Sequence, residues 1–180
     1  MKHVFLVTGN QNKLKEWREV LPSDITIDSV EIDLTEIQSI DPEEIVADKA
    51  KRAYEATGKP VVVEDVSAQL VKLNGLPGPF VKFFLKAIGD DALFQLAGKE
   101  GEKAIVSCAI AYYDGKELLT VRADVDGHVV SARGDNGFGF DVTFVPEGET
   151  LTYAEMSSEQ KNSLSHRYKA IDLFVKALNR

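Results

Sequence analysis

Cysteine, basic charge and long apolar runs are all scarce in this sequence. Of its 180 residues only Cys108 is a cysteine, so no internal disulfide bond can form. This composition fits a reducing compartment, and we expect a cytoplasmic protein. No apolar run approaches the roughly 18 residues of a membrane-spanning helix, and the first residues show no signal-peptide pattern. We therefore expect neither secretion nor a membrane partner.

The chain is acidic. It contains 29 Asp and Glu against 21 Lys and Arg, with a net charge of −8 and a pI near 4.9. This balance argues against non-specific binding to nucleic acid. Such a protein can bind an anion only where the fold concentrates its few basic residues, or where a divalent cation helps. The length favours one domain over residues 1–180, although two lobes are compatible with it.

A strand, a tight turn and a helix open the chain. Val4–Val7 is a short apolar run typical of a buried strand, and residues 8–10 (Thr-Gly-Asn) have the composition of a turn. Apolar residues recur at helical spacing from Asn12 onward. The first helical amides carry partial positive charge and Lys13 adds a full charge, so the turn suits a phosphate group. The alternative is an ordinary strand-to-helix turn with a surface lysine.

The next elements continue the alternation of strand and helix. Ile25–Val30 alternates as a half-buried strand does. Asp41 is a predicted N-cap, with a capping-box relation to Glu44, for a helix that runs to about Ala56. This order favours an α/β fold whose sheet is covered on both faces.

Val61–Val63 predicts a further buried strand, ending at Glu64 and Asp65. Ligands bind beyond the carboxyl ends of strands in such sheets, so these carboxylates and the turn at residues 8–10 are expected at one edge. The three carboxylates Glu36, Glu64 and Asp65 are candidates to hold Mg²⁺ alongside substrate phosphates. One of the three is a candidate general base. The alternative is solvated surface charge.

The second half predicts a mixed sheet. Two short helices, at Phe80–Ile88 and residues 91–97, precede an antiparallel pair of strands at Ala104–Tyr113 and Leu118–Val130. The last helix has capping-box spacing from Ser157 to Gln160 at its start and carries apolar residues on one face as far as Leu178.

A glycine-rich loop carries two aromatic residues. Phe138 and Phe140, separated by Gly139, suit stacking on a flat ring, and Asp141 suits accepting hydrogen bonds from ring N–H groups. The alternative is a pair of core aromatics at a bulge. Further donors near the start of the last helix, which equally suit a polar helix face, are Lys161, Asn162, Ser165, His166 and Arg167.

Taken together, these segments resemble the inosine triphosphate pyrophosphatases, which hydrolyse non-standard purine nucleoside triphosphates. The resemblance runs from Phe5 to the last helix and rests on the order and spacing of short motifs. These motifs are Thr8-Gly9-Asn10 with Lys13, Asp33-Leu34 with Glu36, Val63-Glu64-Asp65, residues 75–79 with Lys82, Phe138-Gly139-Phe140-Asp141, residues 153–156, and Lys161-Asn162 with Ser165-His166-Arg167.

The resemblance implies an α/β fold with an elongated mixed sheet flanked by helices, two lobes around a central cleft, and a homodimer. It implies Mg²⁺-dependent hydrolysis of ITP, dITP and XTP to the monophosphate and pyrophosphate, which cleanses the nucleotide pool. The catalytic residues would be Asp65, as the base, and Lys13, with Glu36 and Asp65 on the metal. The triphosphate would lie on Thr8, Gly9, Asn10, Lys13 and Lys49; the purine would lie on Phe138, Gly139 and Phe140, with its edge read by Asp141, Lys161, His166 and Arg167.

Two positions depart from the family pattern. Val66 follows Asp65 where Ser or Thr is usual, which removes a hydroxyl beside the expected base and puts the catalytic rate in doubt. Val142 stands where Pro is usual, which should affect only loop stiffness. Two alternatives stay open: a nucleotide-binding sensor that no longer hydrolyses, and the related Maf-like pyrophosphatases, which prefer pyrimidine or methylated nucleotides.

Overall fold

A computed structural model describes residues 2–179, which form a mixed seven-stranded sheet with the order β2-β1-β3-β5-β6-β7, β4 pairing with β3. The strands are β1 (Lys2–Val7), β2 (Ile25–Val30), β3 (Val61–Leu70), β4 (Pro77–Gly78), β5 (Glu102–Tyr113), β6 (Leu118–Val129) and β7 (Phe144–Pro146). The helices are α1 (Gln11–Val20), α2 (Pro42–Thr57), α3 (Val81–Ile88), α4 (Ala92–Ala97), α5 (Ser158–Leu164) and α6 (His166–Leu178), with 3₁₀ turns at Val71–Leu73 and Gly139–Val142. The predicted α/β class with a mixed sheet is confirmed.

The chain divides into two compact units. The first contains residues 2–65, 108–123 and 167–179, and the second contains residues 66–107 and 124–166. The single domain over residues 1–180 and the cleft between two lobes stay predictions. No helix in the described part of the chain has both the length and the apolar character to cross a membrane.

The first unit is organised around β1. This strand pairs in parallel with β2, from Lys2 opposite Ile25 to Val7 opposite Val30, and in parallel with β3, where Leu6 lies opposite Val62. Small and β-branched side chains form one cluster of its core, as expected for strands covered by a helix. The residues of this cluster are Val7, Val46, Ala50, Ala53, Val61, Val63, Ala109 and Ala111. Trp17 and Phe174, whose ring centroids lie 5.8 Å apart, are also fully buried in this unit.

The second unit is built on antiparallel pairs. β3 pairs with β4 at Ala68 and Gly78, and β6 pairs with β7 at Val129 and Phe144. One cluster of its core contains Ala68, Leu70, Val81, Leu93, Ala97, Ala104, Val106, Val125, Val129, Phe140, Phe144, Tyr153 and Met156.

Several predicted element boundaries are confirmed by the capping contacts. Asn10 caps α1, and Ser157 and Gln160 form the predicted capping box of α5. Asp41 also caps α2, by accepting from the backbone N–H of Glu43. The carboxylate of Glu44 instead accepts from the hydroxyl of Ser39, so the predicted capping-box relation of Glu44 with Asp41 is replaced by a side-chain contact.

Two predicted boundaries are wrong. β3 does not end at Glu64 and Asp65 but continues to Leu70, because the residues beyond Asp65 pair with β4 and are largely buried. The last helix is two helices, since Ser165 adopts an extended conformation with φ −69° and ψ 157° between α5 and α6. Glu64 and Asp65 therefore lie in the middle of a buried strand and not at its end.

Candidate active site

The turn between β1 and α1 is held by its own side chains. The Thr8 hydroxyl accepts from the backbone N–H of Asn10 at 3.0 Å, and Asn10 Oδ1 accepts from the N–H groups of residues 12 and 13. A Cβ added to Gly9 would lie 2.7 Å from Oε1 of Glu31, so a larger residue would displace that carboxylate. The helix N-terminus is therefore presented in a fixed conformation, with Lys13 in its first turn.

Glu64 is a buried carboxylate of the first unit, and it forms ion pairs. Its side chain is 1% exposed, and it accepts from Trp17 Nε1 at 2.6 Å and from Arg167 Nη2 at 3.0 Å. Lys13 Nζ lies 3.0 Å from its Oε1. Burial alone would raise the pKa of Glu64, but the charges of Arg167 and Lys13 and the hydrogen bonds from Arg167 and Trp17 hold it well below its ordinary value. Glu64 is thus a fixed negative charge.

Lys49, on α2, connects the other charged groups of this unit. Its Nζ lies 2.6 Å from Oε1 of Glu36. Burial lowers the pKa of Lys49 and the charge of Lys13 lowers it further, whereas the carboxylates of Asp65 and Glu64 act in the opposite direction. The ion pairs of the first unit thus include Lys49 with Glu36 and Lys13 with Glu64.

The carboxylates of this region suit a magnesium ion. Mg²⁺ prefers oxygen ligands and is usually bound by one or two carboxylates together with substrate phosphates. Glu36 contacts Lys49 directly, and the charge of Asp65 raises the pKa of the same lysine against the lowering by burial. Among residues 2–179 no cluster of three or more His, Cys, Asp or Glu side chains suits a metal.

In the second unit, a buried ion pair joins the glycine-rich loop to α5. Lys161 Nζ lies 2.7 Å from Oδ2 of Asp141, and both side chains are at most 6% exposed. The same Oδ2 accepts from the backbone N–H of Phe138 at 2.8 Å. A Cβ at Gly137 would lie 2.3 Å from this oxygen, and its φ of +78° also favours glycine. The loop is therefore folded tightly over Asp141.

Aromatic rings surround this ion pair. Lys161 Nζ lies 5.1 Å from the centroid of the Phe138 ring and 5.7 Å from that of Tyr153. His166 lies between Phe140 and Tyr153, with centroid distances of 5.9 Å and 5.8 Å. Phe140 and Tyr153 belong to the core, whereas Phe138 is only half-buried. Phe138 is thus the ring of this group with a face to offer a flat ligand.

The sequence matches the model of the Ham1 family over residues 4–177. The chain belongs to the Ham1 family. A curated relative, the inosine triphosphate pyrophosphatase of Yarrowia lipolytica, is 42% identical over 173 residues, which cover 94% of this chain and 92% of the relative. The predicted family is confirmed by this match.

Solved structures of related proteins share the fold. The Staphylococcus aureus Ham1 protein aligns with a TM-score of 0.84 and 27% identity, covering 99% of this chain and 98% of that one. The nucleoside-triphosphatase / dITP/XTP pyrophosphatase of Mycobacterium abscessus aligns with a TM-score of 0.73 and 27% identity, covering 96% and 98%.

The structure sorts the predicted site residues of this Ham1-family chain into two sets. The first unit contains Thr8, Gly9, Asn10, Lys13, Glu36, Lys49, Asp65 and Arg167, and the second contains Phe138, Gly139, Phe140, Asp141, Lys161 and His166. Arg167 was expected beside His166 at the purine; its guanidinium instead contacts Glu64 and Glu16 of its own unit. The roles of all these residues stay predictions.

Sequence reasoning missed two partners of the charged group. Trp17 and Glu16 follow Lys13 by four and three residues, the spacings that share a helix face. A buried indole N–H needs an acceptor, and here it is Glu64. The helical spacing places Glu16 and Trp17 on the same face of α1 as Lys13. That spacing does not indicate which distant side chains this face contacts.

Proposed function

We propose that this Ham1-family protein hydrolyses ITP, dITP and XTP to the nucleoside monophosphate and pyrophosphate. One observation supports the proposal: the first unit contains the ion pairs of Lys13 with Glu64 and of Lys49 with Glu36, and Asp65 follows Glu64 on β3. Two ammonium groups suit a phosphate chain and two carboxylates suit a metal and a base. The name of the Yarrowia relative supplies the substrate class.

The charge balance supports a requirement for Mg²⁺. The chain contains 29 Asp and Glu against 21 Lys and Arg. An excess of carboxylates repels a triphosphate. A bound Mg²⁺ on Glu36 and Asp65 would neutralise this excess and the charge that develops on the phosphates.

We assign the proton transfer to Asp65. The family resemblance implies this role, and Asp65 directly follows the buried Glu64 on β3. Asp65 would take a proton from the attacking water as the bond between the α- and β-phosphates breaks and pyrophosphate leaves. Lys13 and Lys49 would hold the phosphate oxygens, where their charges favour the transition state.

We assign the purine to residues of the second unit. The half-buried ring of Phe138 suits stacking on the base. The Asp141–Lys161 pair offers an acceptor and a donor fixed by burial, and His166 is held between two rings. Hypoxanthine and xanthine carry an acceptor oxygen at position 6, which these donors would meet, whereas adenine carries an amino group there.

Other properties of the protein are proposed on the resemblance and the composition. We propose that it is a cytoplasmic homodimer, as the family resemblance and the single cysteine suggest. The net charge of −8 is the reason to propose no nucleic-acid partner.

A nucleotide panel tests the proposal. Pyrophosphate release is measured for ITP, XTP, dITP, ATP, GTP and pyrimidine triphosphates, each with and without Mg²⁺. We expect ITP and XTP to exceed ATP by orders of magnitude in kcat/KM, and no release without the metal. Preference for pyrimidine or methylated nucleotides would indicate the Maf-like alternative, and binding without turnover would indicate the sensor.

A further inference from the structure

The single tryptophan of the chain contacts a buried carboxylate. Trp17 is fully buried on α1, and its ring packs edge-on against that of Phe174. Its indole Nε1 donates to Oε2 of Glu64 at 2.6 Å. A phenylalanine would fill most of this space without needing an acceptor. The indole N–H therefore adds a contact that the packing of the core alone does not require.

Two side chains of α1 contact this one carboxylate. Lys13 lies one helical turn before Trp17 on the same face, and its Nζ lies 3.0 Å from Oε1 of Glu64. Because Trp17 donates to Oε2, each oxygen has a partner from α1. Arg167 donates to both oxygens as well, at 3.0 to 3.2 Å. The carboxylate is therefore held from α1 and from α6, with Oε1 facing the ammonium group of Lys13.

We infer that Trp17 is a positioning residue for the phosphate-binding lysine Lys13, acting through Glu64. This inference rests on the proposed function. A lysine side chain has many rotamers and loses much of this freedom when its ammonium group is fixed. Glu64 fixes the ammonium group before a substrate arrives, and the indole N–H fixes the oxygens of Glu64. Less freedom is then lost when a phosphate binds.

Removing the indole N–H should loosen this arrangement without removing any charge. In Trp17→Phe the ion pairs of Glu64 with Lys13 and Arg167 remain possible, but Oε2 loses its shortest hydrogen bond. Lys13 would then sample more positions, and phosphate binding would weaken. The chemical step should change little, because the indole donates to Glu64 and not to Asp65, the assigned base.

The test measures the binding of inorganic tripolyphosphate by calorimetry in the presence of Mg²⁺. We expect Trp17→Phe to weaken Kd about fivefold, the effect of one ordinary hydrogen bond. In the Glu64→Gln background the same change should alter Kd by less than about twofold, because residues that act through one another are not additive. For ITP hydrolysis we expect a raised KM and a nearly unchanged kcat.

Phe174→Leu is the matched control. Phe174 is fully buried against the indole ring, so its shortening damages the same core and leaves the indole N–H in place. We expect a loss of stability in thermal unfolding and an unchanged Kd for tripolyphosphate. The two effects separate in calorimetry, because an unfolded fraction lowers the number of binding sites and not their affinity.

The indole proton gives a second readout that needs no change to Trp17. The chain has one tryptophan, so a single indole N–H resonance in the NMR spectrum reports its contact with Glu64. We expect this resonance to shift as tripolyphosphate is added, with the Kd found by calorimetry. At the same tripolyphosphate concentrations we expect no shift in Lys13→Met, because the ammonium group that connects the phosphates to Glu64 is missing.

Three results would overturn the inference. An unchanged Kd in Trp17→Phe, or equal weakening by Phe174→Leu, would show that the N–H does not set the affinity. A full fivefold effect of Trp17→Phe in the Glu64→Gln background would show that Trp17 does not act through Glu64. An indole resonance that ignores tripolyphosphate would exclude the coupling, and this readout decides alone if Trp17→Phe does not fold. Absent ITP hydrolysis by the wild type, with the coupling intact, would count against the proposed function alone.

Discussion

The ammonium group of Lys49 lies 2.6 Å from the carboxylate of Glu36, which joins α2 to the segment that follows β2. Both side chains are largely enclosed, with exposures of 16% and 23%. The pKa of Lys49 lies below its ordinary value of 10.5, because burial disfavours the charged form and Lys13 repels it. A lysine in this condition binds anions only while it keeps its proton, so substrate affinity should depend on pH.

The first prediction follows from the lowered pKa of Lys49. As pH rises through the lowered pKa of Lys49, its charge is lost and KM for ITP should increase. Lys49→Arg keeps its charge at every working pH, so the increase should vanish or move to higher pH. The measurement is KM between about pH 7 and about pH 10. Lys51→Arg, at an exposed neighbour on α2, is the control, and an identical alkaline rise in all three proteins would contradict the assignment.

Asp65→Asn tests the general base. The amide keeps the shape of the carboxylate but cannot take a proton, and a positioned base typically contributes about 10²- to 10⁴-fold. We expect kcat to fall by that factor while KM changes little. The matched control is Asp33→Asn, at an exposed carboxylate. Near-normal turnover by Asp65→Asn would show that Asp65 has a structural role.

Glu64→Gln tests the buried charge cluster through stability. Glu64 has a lowered pKa in the folded protein, so its contribution is complete above its ordinary value of 4.5 and is lost as pH falls below it. Removing one partner of a buried ion pair costs about 3–5 kcal/mol at neutral pH. The variant should be less stable by that order at pH 7, and it should lose less stability than the wild type on acidification. Urea unfolding at several pH values measures both, and parallel acid profiles would refute the assigned charge state.

Val66→Thr tests the missing hydroxyl. Val66 is partly buried and packs against the core of the second unit, so a hydroxyl there would lose part of its hydration beside apolar side chains. We expect a loss of about 1–3 kcal/mol in stability and little change in kcat. Val71→Thr, at a side chain that is 51% exposed, should leave stability nearly unchanged. A large gain in turnover by Val66→Thr would show that the hydroxyl limits this enzyme.

Local signals in the sequence predicted the elements well. The caps at Asn10 and Ser157 depend on residues within three positions, so the sequence contains all of the required information. The strand β3 was predicted too short because Glu64 and Asp65 are charged, and charged residues are rarely buried. Their burial depends on partners from elsewhere in the chain, such as Arg167, 103 residues from Glu64.

The contacts of the candidate site also depend on residues that are distant in the sequence. Motif order predicted a set of site residues, but the contacts of Arg167 with Glu64 and Glu16 depend on how α6 packs. The break at Ser165 decides that packing, and no proline or glycine marks it. Contacts between distant ionic groups are set by tertiary structure and leave little local signal.

The central claim is that the cut falls between the α- and β-phosphates of a non-standard purine nucleotide. The most direct measurement is ³¹P NMR of the products formed from ITP and Mg²⁺ by the wild-type protein, with Asp65→Asn as the inactive control. The account predicts that IMP and pyrophosphate accumulate together in equal amounts. Release of IDP and orthophosphate would contradict it, because the bond broken would then be the one between the β- and γ-phosphates.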